Sequence, residues 1–259
     1  MAIMQEPSNG RRFAEGWSPV AGQSRTDEVS GDELAEHPLF DWFEEHASGR
    51  GIHKWMHYFE VYERHLARFV GQDVNLLEVG IQSGGSLEMW RAWLGDGATI
   101  YGVDIDPACR RSEQEGVTVF VGDQADRAFW HRLRAEIPPL DIVIDDGGHT
   151  PEQQRVTLEE LLPHLAPGAV YICEDLHGER DRDRNRFVYY LHGLSQALCE
   201  GIPSLSPSDP ERAHICKATP YQAAVDSIHL YPFMMVIERR DRPLDEFVAL
   251  RQGTDWLDY

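Results

Sequence analysis

The chain has 259 residues, of which 42% are hydrophobic and 10% aromatic, so it can bury a full globular core. Its formal net charge of −20 repels nucleic-acid phosphates and anionic lipid headgroups, which excludes both as expected partners. No apolar run is long enough to span a membrane, and the segment MAIMQEPSNGRRFAEG contains no hydrophobic signal core, so we expect a cytoplasmic protein. The four cysteines lie far apart without a CxxC pair, which is typical of free thiols.

The N-terminal part of the chain differs in composition from the rest. Residues 1–36 are polar and rich in Gly, Ser, Pro and Glu, which predicts a flexible arm. We expect residues 37–259 to form a single domain that begins with a helical segment. Within that segment, HKWMHYFEVYERHLARFVG has apolar residues at spacings of three and four and ends at Gly71, which predicts an amphipathic helix. The apolar positions are Trp55, Tyr58, Phe59, Tyr62, Leu66 and Phe69.

The sequence then alternates between strand-like and helix-like segments. The predicted strands are VNLLEVG, TIYGVDID, VTVFVGD, LDIVIDD and GAVYICED, and most are followed by an amphipathic helical pattern. This alternation predicts an α/β fold with a Rossmann-like, doubly wound parallel sheet. Near the C-terminus, VDSIHLYPFMMVIERR predicts two strands joined at Tyr231–Pro232, which would form an antiparallel edge. Residues 178–186 and 201–213 are predicted loops.

Acidic residues end all five of these strands. Because the carboxyl ends of parallel strands lie at one edge of a sheet, where ligands bind, these acids are expected to line a functional site. Helix capping accounts for single acids at such positions, but not for two successive pairs of them. The strand-end acids are Glu78, Asp104, Asp123, the pair Asp145–Asp146 and the pair Glu174–Asp175.

The turn after the first strand is rich in glycine. In LLEVGIQSGGS, Gly80 allows a tight turn, the pair Gly84–Gly85 allows a ligand to approach the backbone, and Ser86 can cap the next helix. The turn departs from the dinucleotide GxGxxG pattern because Gln82 occupies the second glycine position. The next strand-end acid, Asp104, is spaced to bind ribose hydroxyls.

The order of these motifs resembles the class I S-adenosylmethionine-dependent methyltransferases. More narrowly, HKWMHYFEVYERHL, LLEVGIQSGGSLEMW, IYGVDIDP, GDQADRAFW, PPLDIVIDDGGHT and VYICEDLHG are similar to segments of actinobacterial O-methyltransferases that modify deoxysugars of antibiotics. The resemblance covers residues 50–240 and implies the class I fold with an antiparallel C-terminal hairpin. It also implies a homo-oligomer and a rhamnose-like acceptor, with a TDP-linked sugar favoured over one already attached to an aglycone.

The resemblance also implies a cofactor pocket. It places S-adenosylmethionine against a set of residues near the carboxyl ends of the first four strands, and it suggests that part of the aromatic group His57, Tyr58 and Tyr62 lines the same pocket. The residues that we assign to cofactor binding are Tyr58, Glu78, Gly80, Ser86, Asp104, Asp123, Gln124 and Asp145.

The remaining strand-end acids suggest a magnesium site. A sugar hydroxyl is a poor nucleophile, and methyl transfer requires that its proton be removed and that its oxygen be aligned with the methyl group. A Mg²⁺ ion bound by a few carboxylates provides both effects. We assign Asp146, Glu174 and Asp175 as its ligands and His149 as the general base. The resemblance supports this assignment, since related metal-dependent enzymes carry the same Asp-x-x-His motif and Glu-Asp pair.

Three other interpretations remain open at this stage. An NAD-dependent enzyme would share the sheet but needs the full glycine fingerprint. A non-haem iron oxygenase would use His149, Asp175 and His177, although such enzymes are usually antiparallel barrels. A non-enzymatic scaffold would use the acidic edge to bind a basic partner, which leaves the position of the acids at strand ends unexplained.

Overall fold

A computed structural model of the chain describes residue 14 and residues 38–176, 186–209 and 213–255. Almost all of the predicted arm at residues 1–36 lies outside the described residues. The same holds for His177 and for most of the loop predicted at 178–186.

Seven described helices surround the strands. They are α1 (Pro38–Glu45), α2 (Tyr58–Leu66), α3 (Gly85–Leu94), α4 (Arg127–Glu136), α5 (Pro151–Leu161), α6 (Arg186–Cys199) and α7 (Pro220–Ala224). Ten described strands are β1 (Asn75–Val79), β2 (Thr99–Asp104), β3 (Val117–Val121), β4 (Leu140–Asp145), β5 (Leu165–Cys173), β6 (Ser204–Leu205), β7 (Ala213–Lys217), β8 (Val225–Tyr231), β9 (Met234–Arg239) and β10 (Glu246–Leu250).

The main sheet has seven strands in the order β3-β2-β1-β4-β5-β9-β8. The first five strands of this order are parallel, and β9 and β8 are antiparallel to their neighbours. The predicted α/β class, the doubly wound sheet and the antiparallel C-terminal hairpin are therefore confirmed.

A second, three-stranded antiparallel sheet has the order β10-β7-β6. Its strand β6 lies inside residues 201–213, which the sequence predicts as a loop, so that prediction is wrong at Ser204–Leu205. The segment is rich in Pro and Ser and has no strand periodicity. Its extended conformation depends on pairing with β7, a non-local interaction that a local pattern does not report.

Helix α2 is shorter than the sequence pattern predicts. The apolar periodicity suggests a helix from His53, whereas the structure begins it at Tyr58 and continues it as a 3₁₀ turn over Ala67–Phe69. The residues before Tyr58 adopt irregular backbone, because Lys54 and Trp55 direct their side chains to carboxylates at the sheet edge. These tertiary contacts outweigh helix propensity.

The core has one layer on each face of the main sheet. Alternate residues of a strand point to opposite faces, so Leu76 and Ile142 belong to one buried cluster, whereas Leu77 and Val143 belong to the other. The first cluster also contains Tyr58, Tyr62 and Trp90, and therefore packs α2 and α3 against the sheet.

The strand register brings three strand ends together. Val79 pairs with Asp145, and Asp145 pairs with Cys173. The residues that follow these strands, Gly80, Asp146 and Glu174, consequently meet at one edge of the sheet. No helix among the described residues is long and apolar enough to cross a membrane.

Candidate functional site

A cavity of about 360 Å³ opens at this edge of the sheet. It is lined by the irregular segment before α2 and by the turns that follow β1 to β5. All of the predicted site residues line the cavity except Glu78 and Asp145. The structure therefore brings Tyr58, Gly80, Ser86, Asp104, Asp123, Gln124, Asp146, His149, Glu174 and Asp175 to one place.

A buried lysine lies at the centre of the acidic edge. The Nζ atom of Lys54 is 2.6 Å from Oδ2 of Asp146, 3.0 Å from Oε2 of Glu174 and 3.4 Å from Oε1 of Glu78. Glu78 and Glu174 are buried, and the Lys54 side chain is only 2% exposed. A buried carboxylate without a partner is strongly destabilising, so this ammonium group is what allows three acids to share the space.

The charges of this group are strongly coupled. Burial lowers the pKa of Lys54, but the carboxylates of Asp146 and Glu174 outweigh that effect and hold the pKa well above its ordinary value. Burial, together with repulsion from Asp146, raises the pKa of Glu174 despite the attraction of Lys54. Both directions indicate an excess of acids over cations.

Tyrosines from α2 hold the last two acids. The hydroxyl of Tyr62 donates to Oε1 of Glu174 at 2.5 Å, and the hydroxyl of Tyr58 donates to Oδ1 of Asp175 at 2.8 Å. Trp55 Nε1 donates to the same oxygen of Asp175 at 3.0 Å. The N-terminal half of α2 and the residues before it therefore fix the orientation of the Glu174–Asp175 pair.

Three ligand-type side chains converge beside Lys54. One ligand atom each from Asp146, His149 and Asp175 lies within 4.8 Å of the others. His149 Nε2 is 4.0 Å from Oδ1 of Asp146 and 3.6 Å from Oδ2 of Asp175. The opposite oxygens of the two carboxylates are bound by Lys54 and Tyr58. Donors that hold one carboxylate oxygen orient the other toward a shared point, as in metal sites.

These residues fit a divalent cation. Two carboxylate oxygens and an imidazole nitrogen form an oxygen-rich donor set with room for other oxygen ligands. His149 Nδ1 is buried and has no hydrogen-bond partner among the described residues. Glu174, the third predicted ligand, instead faces Lys54 and Tyr62, so its role as a ligand stays a prediction that requires rearrangement of Lys54.

The other half of the cavity is built on the glycine-rich turn. Gly80 has φ +85°, and a Cβ there would collide with the carbonyl oxygen of Asp146, so only glycine fits. Gln82 adopts φ +43°, a left-handed conformation in which glycine is favoured. The dinucleotide pattern has a glycine at this position. Its backbone N–H donates to Oδ2 of Asp104 at 2.9 Å, which fixes that carboxylate at the cavity wall.

Backbone strain is concentrated around the cavity. The described non-glycine residues with positive φ are Gln82, His149, Asp175 and Phe233. The first three line the cavity, and the carbonyl oxygen of Phe233 accepts a hydrogen bond from Tyr58. Such conformations cost free energy and are found at functional sites more often than elsewhere.

Two of the predicted cofactor contacts, Glu78 and Asp145, do not line the cavity, so their contact with the cofactor stays a prediction. Glu78 is fully buried below the cavity, where it binds Lys54 and accepts a hydrogen bond from Ser86 Oγ at 2.7 Å. Asp145 is also buried, and it accepts hydrogen bonds from Gln124 and Tyr171, each at 3.0 Å. Burial raises the pKa of Asp145 to about 7. The pleat directs the two acids to opposite faces of the sheet, and each binds side chains that themselves line the cavity.

Lys54 is the main residue that sequence reasoning did not place in the site. One signal for it exists in the sequence: Lys54 and Lys217 are the only lysines, since all other basic side chains except histidine are arginines. Lysine differs from arginine in being a compact cation that can fit into a small buried space. A lone lysine within an aromatic-rich segment is therefore informative.

We predict that Lys54→Met lowers the free energy of unfolding by about 3–5 kcal/mol, because it leaves buried carboxylates without a counter-charge. Urea unfolding in the presence of a chelator measures this loss. Lys217→Met, at an exposed position on β7, is the matched control and should have little effect. Equal stability of the Lys54 variant and the wild type would contradict the assigned role.

Comparisons with known proteins identify the domain. Residues 77–176 match the family model described as a methyltransferase domain. The chain is 35% identical over 205 residues to the 8-demethyl-8-alpha-L-rhamnosyl tetracenomycin-C 2'-O-methyltransferase of Streptomyces olivaceus, covering 73% of this chain and 51% of that protein. It is 41% identical over 133 residues to the demethylmacrocin O-methyltransferase of Streptomyces fradiae, covering 48% of this chain and 33% of that protein.

A solved structure is similar as well. The MycE methyltransferase of the mycinamycin biosynthetic pathway, in complex with Mg, SAH and mycinamycin VI, is 26% identical with a TM-score of 0.61, and the match covers 73% of this chain and 50% of that one. The chain thus spans about half of the length of these proteins, or less. Residues 77–176 are similar to a methyltransferase domain, the fold is like that of the class I methyltransferases, and the resemblance to the sugar O-methyltransferases of antibiotic pathways is confirmed.

Proposed function

We propose that the chain is an S-adenosylmethionine-dependent O-methyltransferase that acts on a deoxysugar hydroxyl of a natural product, with a divalent cation, Mg²⁺ being sufficient. The observation that carries this proposal is the position of the Asp146–His149–Asp175 group beside the cavity. The glycine-rich turn and the ends of β2 and β3 line that cavity, on a sheet like that of the class I methyltransferases. The relative from Streptomyces olivaceus is named for methylation of a rhamnosyl tetracenomycin C, and MycE was solved in complex with mycinamycin VI, which supports a rhamnose-like sugar acceptor on a natural product. A TDP-linked sugar stays a prediction.

We propose that the cofactor binds at the glycine-rich turn and at the ends of β2 and β3. Asp104 faces the cavity with its carboxylate held by backbone N–H groups of Gln82 and Asp106, so it is ready to accept hydrogen bonds from ribose hydroxyls. Asp123 and Gln124 line the next part of the cavity, where they can receive an adenine ring. Gln124 is itself fixed, because its Oε1 accepts from the Gly148 N–H at 2.6 Å.

The carboxylates around Lys54 outnumber its one positive charge. Glu78, Asp146 and Glu174 lie within 3.4 Å of Lys54 Nζ, and Asp175 shares a group of ligand atoms with Asp146. We propose that this excess of acidic groups attracts the two positively charged ligands of the reaction, a divalent cation and the sulfonium of S-adenosylmethionine.

On the acceptor side, Asp146 and Asp175 would hold the cation, with Glu174 as a further predicted ligand. When bound, such a cation lowers the pKa of a coordinated hydroxyl and fixes its direction. His149 lies on the same side, and its Nε2 faces the two carboxylates. We propose that His149 accepts the hydroxyl proton while the sugar oxygen attacks the methyl group.

The alternative interpretations are not favoured. The methyltransferase family match and the α/β sheet argue against an iron oxygenase, and its predicted ligand His177 lies outside the described residues. The Gln82 turn lacks the dinucleotide fingerprint of NAD enzymes. A homo-oligomer stays a prediction.

We predict that Asp104→Ala weakens S-adenosylmethionine binding by about 1–3 kcal/mol, the scale of losing charged hydrogen bonds. Isothermal calorimetry measures the change in dissociation constant. Glu115→Ala is a suitable control, since Glu115 is exposed on the turn before β3. An unchanged dissociation constant for Asp104→Ala would show that the ribose is bound elsewhere.

We also predict that His149→Ala lowers turnover by about 10²–10⁴-fold, the usual effect of removing a positioned base. Cofactor affinity should change little, and His131→Ala, at an exposed position on α4, should leave turnover unchanged. The assay uses a glycosylated acceptor that the wild type methylates, with chelated enzyme as the metal-free reference.

A magnesium titration of the same variant separates two roles of His149. If His149 is the base, excess Mg²⁺ leaves the His149→Ala defect in place. Rescue by excess Mg²⁺ would instead make His149 a metal ligand, and full turnover of the chelated wild-type enzyme would rule out the cation altogether.

A further inference from the structure

A second group of metal-ligand side chains lies away from the cavity, between the last turn of α2 and the β8–β9 hairpin. It consists of His65, His229 and Glu238, which we call the histidine cluster. One ligand atom of each residue lies within 4.8 Å of those of the other two. None of the three lines the cavity described above.

The fold places these side chains on one face. In the antiparallel register of the hairpin, Ser227 is opposite Glu238 and His229 is opposite Val236, so His229 and Glu238 point to the same side of the sheet. Helix α2 packs on that side and contributes His65, which is only 3% exposed. The His65 and His229 rings meet edge to face with centroids 4.8 Å apart.

We propose that the histidine cluster is a second metal site, which takes a transition-metal cation of the Zn²⁺ type through two imidazoles and one carboxylate. Imidazole nitrogens favour zinc, copper and nickel over magnesium, so the two sites of the chain would differ in the cation that they select. Two histidines and a glutamate form the protein ligand set of well-known open zinc sites, in which water or another group takes the fourth position.

The geometry requires only small side-chain movements. His65 Nδ1 is 2.5 Å from Oε1 of Glu238, whereas ligand atoms around a tetrahedral zinc ion are about 3.3 Å apart, given zinc–ligand distances near 2.0 Å. His229 is half-buried, its Nε2 forms a hydrogen bond with Ser227 Oγ, and its ring packs against those of His65 and Tyr231. Metal binding would exchange the contact with Ser227 for one with the ion. Burial lowers the pKa of His65, which favours the neutral, ligating imidazole despite the neighbouring Glu238.

Two arginines oppose the binding of a cation here, but both are exposed. Arg68 Nη1 is 3.4 Å from Oε2 of Glu238, and Arg64 Nη1 is 3.3 Å from the Tyr231 hydroxyl. Water and salt screen charges at such positions, and exposed ion pairs of this kind contribute little. Arg68 contacts Oε2, which leaves the His65-facing Oε1 available as a ligand.

A metal at this point would fasten α2 to the β8–β9 hairpin. The same helix carries Tyr58 and Tyr62, which hold Asp175 and Glu174, and the hairpin carries Phe233, whose carbonyl oxygen accepts from Tyr58. The bound ion should therefore stabilise the two elements that support the acidic edge. This inference does not depend on the proposed reaction.

The test uses the untagged full chain carrying Asp146→Asn and His149→Ala, which removes two of the three side chains of the Asp146–His149–Asp175 group. Calorimetric titration with ZnCl₂ should show one bound ion per chain, and Zn²⁺ should raise the melting temperature. Adding His229→Ala should weaken Zn²⁺ binding by at least about 100-fold, because mutation of a residue that only orients a metal ligand already lowers metal affinity by about 10–100-fold. His214→Ala, at a half-buried strand position on β7, is the matched control and should leave binding unchanged.

Glu238→Gln provides a second variant in case His229→Ala disturbs the hairpin, and circular dichroism confirms folding of both. With Co²⁺ in place of Zn²⁺, the site should give a visible absorption band that is lost in each cluster variant. Absence of Zn²⁺ binding in the starting variant would overturn the proposal. Binding that is unaffected by His229→Ala and Glu238→Gln in folded protein would overturn it as well.

Discussion

The buried ammonium of Lys54 is the interaction on which the acidic edge depends. Three strands of a parallel sheet end at this point, and their ends contribute Glu78, Asp146 and Glu174 within 3.4 Å of Nζ. Without that cation, carboxylate repulsion and desolvation would push the turns after β1, β4 and β5 apart. Lys54 therefore connects the ends of β1, β4 and β5 at the cavity.

The strand-end acids differ in their surroundings, since some are buried and others line the cavity. Glu78 and Asp145 are buried, and they position cavity-lining residues through their contacts with Lys54, Ser86, Gln124 and Tyr171. Asp104 and Asp123 line the cavity at the ends of β2 and β3, where we propose that the nucleoside binds. Asp146 and Asp175 each keep one oxygen bound by the protein and direct the other to a shared point beside His149. The incomplete neutralisation by one lysine gives this edge its capacity for positively charged ligands.

Most of the fold follows from local patterns in the sequence. The antiparallel β8–β9 hairpin is readable because two strand-like segments flank Tyr231–Pro232. The strands β1 to β5 are readable because buried parallel strands form continuous apolar runs that end in acids or glycines. The same rule predicts that the acids meet at one edge. Local patterns fail where tertiary contacts determine the backbone conformation. Strand β6 forms through pairing with β7, and α2 begins at Tyr58 because Lys54 and Trp55 bind carboxylates at the sheet edge. The burial of Glu78 and Asp145 is not readable locally either, because it depends on the partners that the folded chain brings to them.

The most direct test of the central claim is a crystal structure of the chain with S-adenosylhomocysteine and Mn²⁺ as a substitute for Mg²⁺. Anomalous scattering distinguishes a Mn²⁺ ion from a bound water. The account predicts an anomalous peak within ligand distance of both Asp146 and Asp175, with the nucleoside against Asp104. Full occupancy of the nucleoside with no anomalous peak near those two carboxylates would contradict it.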